Sequence, residues 1–432
     1  MIALQTGHVR PRIRAAARKK THGGGSKVKN SAVTMLVAAL AIARACFASE
    51  LPHEHFEQQV RQGVAALAGK ELAGLKVLYL SSDVGPWMDT GLALRPGDQV
   101  TMILNGRTWL SRAYGLSFES SIAVWARIGE RGPIFRGPET NTFVARESGT
   151  LQLKTYPGQR WLDATGRYAG EPAPANPDAG GGASVAVLLW KPGVDVPAQL
   201  KRIAAGPAGD WAAMELARQG LPERRLPAGW YYLWELGPSR VFAEVGNPQG
   251  PGAPKRAIDL HTKNDVAIIK TDVSIPLTPS TTLAWKWKAD LIPASSAENT
   301  LPTHDYMSIA VEFDNGQDIT FLWSRDLPVG QSFRCPLPGW DFRETHIVAR
   351  SGTADLGKWL GEEFNLHDSY SRAVGGDMPK RITRVWLIAV SLFQKVEGRS
   401  QFGEIVLKDG SRQTPVFADL AADPTLRLAA GR

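Results

Sequence analysis

The run Thr282-Leu283-Ala284-Trp285-Lys286-Trp287-Lys288-Ala289-Asp290 sets Leu283, Trp285 and Trp287 on one side and Ala284, Lys286 and Lys288 on the other if the chain is extended there. Successive side chains of a strand point to opposite faces, so this is a strand with one aromatic face and one cationic face. Outward from it, short alternating or apolar runs recur at 240–244, 265–271, 306–313, 318–323, 345–350, 383–393 and 402–407, broken by Gly, Pro, Asp and Asn. That is the pattern of an antiparallel sandwich. The first half carries the same pattern at 75–80, 99–104, 121–128, 142–146, 150–154 and 184–190. Only 55–68 and 198–219 read as helical. The expectation is an all-β chain of two antiparallel, jelly-roll-like sandwiches, at 49–191 and 235–412. A partly helical connector at 192–234 is punctuated by Pro192, Pro197, Pro207, Pro222 and Pro227, and a flexible tail follows at 413–432.

The first 49 residues hold nine basic side chains and no acidic one before Glu50. An apolar run at 32–42 is shorter than the ~20 residues a membrane-spanning helix needs and suits the core of a signal peptide. Export to the periplasm or beyond is therefore expected, with residues 1–48 removed after Ala48 and no stable membrane insertion. The formal charge of +8 becomes 8 − 9 = −1 without those nine residues. A mature chain near neutrality offers no basic face to a polyanion, so electrostatics argue against nucleic acid as a partner. Of the two cysteines, Cys46 and Cys335, only Cys335 survives cleavage, which leaves no intramolecular disulfide.

Two stretches resemble known families. Gly85-Pro86-Trp87-Met88-Asp89-Thr90-Gly91-Leu92 with Leu94-Arg95-Pro96-Gly97-Asp98-Gln99-Val100 is similar to the first strand and turn of the bacterial galactophilic lectins. The stretches Ala126 to Gly137 and Glu147 to Leu153 resemble their later hairpins, so that the likeness spans about 75–190. The resemblance implies sugar held through a calcium in the loop after 150–154. Here that loop, 155–166, keeps only Asp163 and Thr165 as ligand candidates, short of calcium's six to eight oxygens unless Asn176 or Asp178 folds back. A lectin-like spacer without cofactor is expected, with calcium as the alternative. The second half, about 235–410, resembles the family called domain of unknown function 3047. The likeness rests on Leu283 to Lys288, His304-Asp305-Tyr306, Ser308 to Asp314, Trp323-Ser324, Arg350-Ser351-Gly352, Leu356-Gly357-Lys358-Trp359 and Asp368-Ser369-Tyr370. It implies a fold and an exported location, not a reaction.

Trp285 and Trp287 read either as a stacking platform for a sugar ring or as core filling. The strand at 306–313 spans about 25 Å at ~3.3 Å per residue, so His304, Asp305 and Tyr306 cannot share a site with Asp314-Asn315, which reads as a hairpin turn. His304, Asp305 and Tyr306 are instead expected to meet Trp340, Asp341, Glu344 and His346, and also Asp368 and Tyr370, at one rim. Glu344 and His346 are two apart and face one side of a strand, which suits a metal or an acid/base pair, although no diagnostic metal spacing is present. Cys335 lies between Arg334 and Pro336 with no histidine beside it and reads as a buried structural thiol. The leading expectation is binding of a small molecule or glycan in an aromatic, acid-rimmed cleft of the second sandwich. The alternatives are a lyase, hydratase or glycan hydrolase with Asp305, Glu344 or Asp368 as proton-transfer group assisted by His304, His346 or Tyr370, or a structural cell-envelope protein with Trp285 and Trp287 fully buried.

Overall fold

In the computed structural model, residues 50–67, 69–82, 85–113, 115–156, 161–169, 178–294, 296–300, 306–337, 340–394 and 396–418 are described. The expected signal peptide, Asn176, His304, Asp305 and the tail beyond 418 lie outside them. Helix α1 (His53–Val64) leads into β1 (Leu72–Ser81), β2 (Met88–Leu94), β3 (Gln99–Ser111) and β4 (Leu116–Glu119). A short helical turn, α2 (Ser120–Ala123), stands where the sequence pattern predicts the start of a strand, before β5 (Val124–Ile128), β6 (Thr140–Val144), β7 (Gly149–Thr155) and β8 (Gly180–Trp190). These strands form a five-stranded sheet ordered β1-β8-β3-β4, with β6 on β3, facing a three-stranded sheet β2-β7-β5. Strand β8 is apolar on both faces for a reason. Val185 and Val187 face the sandwich core, while Ala186 and Leu188 face α1 and two further helices, α3 (Val196–Ala204) and α4 (Asp210–Gln219). The helical stretch expected at 198–219 is thus two helices. Asp195 caps the first by accepting from the Ala198 amide at 3.0 Å, and Gly206-Pro207 separates them.

The second sandwich comprises β9 (Tyr231–Tyr232), β10 (Phe242–Gly246), β11 (Arg256–Lys263), β12 (Val266–Pro276), β13 (Thr281–Leu291), β14 (Met307–Phe313), β15 (Asp318–Ser324), β16 (Ser332–Arg334), β17 (Glu344–Ser351), β18 (Leu360–Asn365), β19 (Arg381–Val390), β20 (Glu397–Asp409) and β21 (Arg412–Phe417), with α5 (Leu366–Ala373) after β18. One sheet runs β10-β11-β20-β13-β18 with β21 on β20; the other has seven strands, β16-β17-β15-β14-β19-β12-β9. The sandwich is antiparallel apart from β15 and β17, which pair in parallel. Between the sheets lies the large core, in which Trp285 and Trp287, each 2% exposed, interleave with Phe321, Trp323, Phe364 and Phe402. The stacking-platform reading of the two tryptophans is therefore corrected. Both rings are core, because their strand is flanked on both sides and covered by the facing sheet. The start of the expected flexible tail is corrected as well, since β21 pairs with β20 and Phe417 is buried.

Both sandwiches lie in one compact unit, Phe47–Arg432. Their junction is an apolar cluster in which Ile122, from α2, meets Leu233, Ile268, Trp386 and Ile388. The buried Arg136 guanidinium crosses it, donating to the carbonyls of Leu236 and Val266 (3.0 Å for the latter) and pairing with Asp265 at 3.3 Å. Among the described residues no helix is long and apolar enough to cross a membrane.

Candidate functional site

The outer face of the seven-stranded sheet carries a polar band that runs across its strands. Register puts Lys270 of β12 beside both Tyr231 of β9 and Trp386 of β19. Glu312 of β14 stands beside Arg384 and Asp318, and Asp318 beside Glu344 of β17. The groups are joined. Tyr231 donates to Asp272 (3.0 Å), and Arg384 bridges Asp272 (3.0 Å) and Glu312 (2.8 Å). Glu312 also accepts from the Trp386 indole at 3.1 Å, and Arg343 reaches Asp318 at 3.1 Å and Glu312 at 3.7 Å. Rings and cations alternate along the same line. The Lys270 ammonium lies 5.6 Å from the Tyr231 centroid and 5.4 Å from that of Trp386, and the Arg343 guanidinium lies 5.3 Å from Trp386 and 5.4 Å from Trp340. Such contacts favour cations over ring faces.

Two charges in the band are poorly compensated. Among the described residues no hydrogen bond or ion pair holds the Lys270 ammonium; burial, then repulsion from Arg384, lowers its pKa. Glu235 stands in the turn at 233–236, where its Oε2 is buried without a hydrogen-bond partner among the described residues. Burial pushes that carboxyl upward despite the attraction of Lys270 and Arg343. Burial and the acceptor Asp272 likewise raise the phenol of Tyr231, a residue that is 39% exposed.

The residues singled out in the sequence divide between the two faces of this sheet. Trp340 is half-buried in the band, with its ring 6.2 Å from that of Trp386, and Asp341 beside it is exposed. Glu344 and His346 lie at the far end of the band, with Cys335 added to them: one ligand atom of each falls within 4.8 Å of the others, all buried. Tyr306 is on the opposite side. Its hydroxyl lies 2.6 Å from buried Glu298 and beside the Trp323 carbonyl, and burial raises its pKa well above the phenol range. Tyr370 also faces the core, packed edge-on against Phe313, where its hydroxyl accepts from Asn315 at 2.7 Å. Asp368 is exposed in the first turn of α5. The expected convergence of Asp368 and Tyr370 with Glu344 and His346 is therefore corrected, because α5 and β17 present these groups to different sides of the sheet. Tyr306 and the two tryptophans leave the ligand-binding set on the same ground. His304 and Asp305 lie outside the described residues.

In the first sandwich, Asp163 accepts from Thr165 (2.6 Å) and from Arg167, contacts that hold its carboxyl well below the usual range. Asp178 bonds Ser111 and the Ala113 amide instead of folding back toward Asp163.

Residues 251–406 match the family described as "Protein of unknown function (DUF3047)", in the half for which the sequence resembles that family, and no family match accompanies the lectin resemblance of the first half. No curated protein matches the chain. Among solved structures, the chain is similar to the xyloglucanase domain of NopAA, a type three effector from Sinorhizobium fredii in complex with cellobiose, at 7% identity over 42% of this chain and 96% of that one, with TM-score 0.25. A second is the family 11 carbohydrate-binding module of the cellulosomal cellulase Lic26A-Cel5E of Clostridium thermocellum, at 8% identity over 42% and 88%, with TM-score 0.21. A third is a carbohydrate-binding module of the β-sandwich superfamily with promiscuous specificity, at 9% identity over 78% and 100%, with TM-score 0.20. Likenesses at TM-scores this low carry no weight for function.

Proposed function

We propose that the chain is an exported binding protein whose second sandwich takes a glycan or other polyhydroxylated small molecule on the outer face of the seven-stranded sheet. The observation that carries this reading is the band itself. Exposed Tyr231 and half-buried Trp340 supply ring faces, while Asp272, Lys270 and Arg384, which buried Glu312 holds in place, supply the fixed donors and acceptors that hydroxyl groups need. A few placed polar groups among aromatic rings is the usual make-up of small-molecule sites. The test is calorimetric titration of neutral and uronic-acid oligosaccharides against the mature chain, with Tyr231→Ala and Lys270→Met as variants. Loss of at least tenfold in affinity, at unchanged melting temperature, supports the band. Sugar binding that both variants leave intact sinks it. Export predicts a secreted form that begins at residue 49, which mass spectrometry of the periplasmic and culture fractions tests.

A second reading, proton-transfer catalysis, is favoured by one observation: Glu235 and Lys270 are shifted in opposite directions on one face, the pattern that functional acids and bases show. Once a ligand is in hand, Glu235→Gln separates the two readings. An enzyme loses turnover, whereas a binder shows no turnover to lose.

A further inference from the structure

The end of the band on β16 and β17 has a donor set of a different chemistry. In antiparallel strands, residues directly opposite each other share a face. Pairing of Arg334 with Thr345 and Phe333 with His346, continued by a 3.1 Å bond from the Cys335 amide to the Glu344 carbonyl, sets Cys335 opposite Glu344. Two residues along β17, His346 falls on the same side, so thiol, carboxylate and imidazole point into one space. All three are buried, at 2%, 3% and 0% exposure, and their ligand atoms lie within 4.8 Å of one another. The positions are held from beside by groups on the same face. Thr320 Oγ1 donates to Glu344 at 3.1 Å, and the Phe333 ring lies parallel to the His346 ring, 4.9 Å away at 8°.

We propose that Cys335, Glu344 and His346 form a site for a borderline divalent transition metal such as Zn2+. Sulfur, nitrogen and a single carboxylate are the donors zinc prefers, whereas calcium and magnesium call for oxygen cages. Zinc–ligand bonds of about 2.0–2.3 Å at tetrahedral angles place ligand atoms roughly 3.5 Å apart. Shifts of about 1 Å therefore close the observed triangle on an ion. Three protein ligands leave the fourth position for water or a ligand atom, and the ion would offset the cost of burying the Glu344 carboxylate.

The test is a Co2+ titration of the full chain, first treated with chelator, with a parallel titration during refolding so that burial cannot hide the site. The expected result is one equivalent bound, with a thiolate-to-cobalt charge-transfer band and the intense visible bands of four-coordinate cobalt, both erased by Zn2+. Cys335→Ser should bind cobalt without the charge-transfer band, and His346→Ala should weaken binding by about tenfold or more. Less than stoichiometric binding under both conditions, or a spectrum that Cys335→Ser leaves unchanged, overturns the proposal.

Discussion

Lys154, near the end of β7, is 2% exposed, and its ammonium donates to the Gly85 carbonyl and sits 4.0 Å from the centroid of Tyr168. Burial, then repulsion from Arg127, pushes its pKa down to about 8. An unfolded lysine keeps its proton to about pH 10.4. Between those values the unfolded chain holds a proton that the folded chain has released, so stability rises with pH across the window; below about pH 8 both states are protonated and the burial cost is present in full. The unfolding free energy of the wild type, relative to Lys154→Met, is expected to rise by roughly 2–3 kcal/mol from pH 7.5 to 10.5, at about 1.36 kcal/mol for each pH unit between the folded and unfolded values. Urea titrations across that range measure it, and a flat difference means the ammonium is better solvated than its surroundings indicate. A second pair of variants checks the division between core and site. Trp285→Ala should cost about 3–5 kcal/mol, whereas Tyr231→Ala, on the sheet's exposed edge, should stay within about 0.5 kcal/mol.

Turns and strand crossings show how local rules become elements. In the β14–β15 hairpin, the pair Asn315-Gly316 predicts two positive φ angles, but only Gly316 is positive, at 78°. Asn315 instead accepts from the Gln317 amide at 3.1 Å and holds Tyr370, so the turn ties α5 to the sheet end. A Cβ on Gly316 would touch nothing, so Gly316→Ala should cost only the backbone strain of about 1–2 kcal/mol. Gly106 in β3 has φ 121° and no room: a Cβ there would sit 2.5 Å from the Gly182 carbonyl oxygen. Gly106→Ala should therefore cost clearly more in the same denaturant assay, and equal losses would contradict the close approach of β3 and β8. Strands with a strong apolar period, such as β13 and β19, were legible in the sequence. Strands β11, β18 and β21 were not, because polar or exposed residues dilute their period. The spacing of Glu344 and His346 was readable, but the addition of Cys335 depends on the register of β16 against β17. Beyond Trp340 and Glu344, the band was invisible in sequence because each of its strands contributes only one or two members. Lys270, in Ile268-Ile269-Lys270-Thr271-Asp272, looks like any solvated strand end.

At the scale of the whole molecule, the question is whether two sandwiches in one compact unit unfold as one. Chains with several domains commonly lose two-state behaviour, but here the junction is an extension of both cores. Ile122 packs with Ile268 and Trp386, and the Arg136 side chain, 5% exposed, satisfies carbonyls at Leu236 and Val266. Replacing it takes a charged donor from these half-buried carbonyls, and hydrogen bonds to charged groups are worth about 1.5–3 kcal/mol each. Wild-type unfolding is expected to give a single calorimetric transition, coincident by far-ultraviolet dichroism and tryptophan fluorescence. Arg136→Ala should lower it and split it into two, since the loss falls on the coupling and not on either core. The same arginine holds the turn that carries Glu235 through the Leu236 carbonyl, so ligand affinity at the band should fall in Arg136→Ala at a temperature where both sandwiches are still folded. Two transitions already present in the wild type would show that the junction is too weak to couple the sandwiches, and the band would then have to hold its ligand without support from the first sandwich.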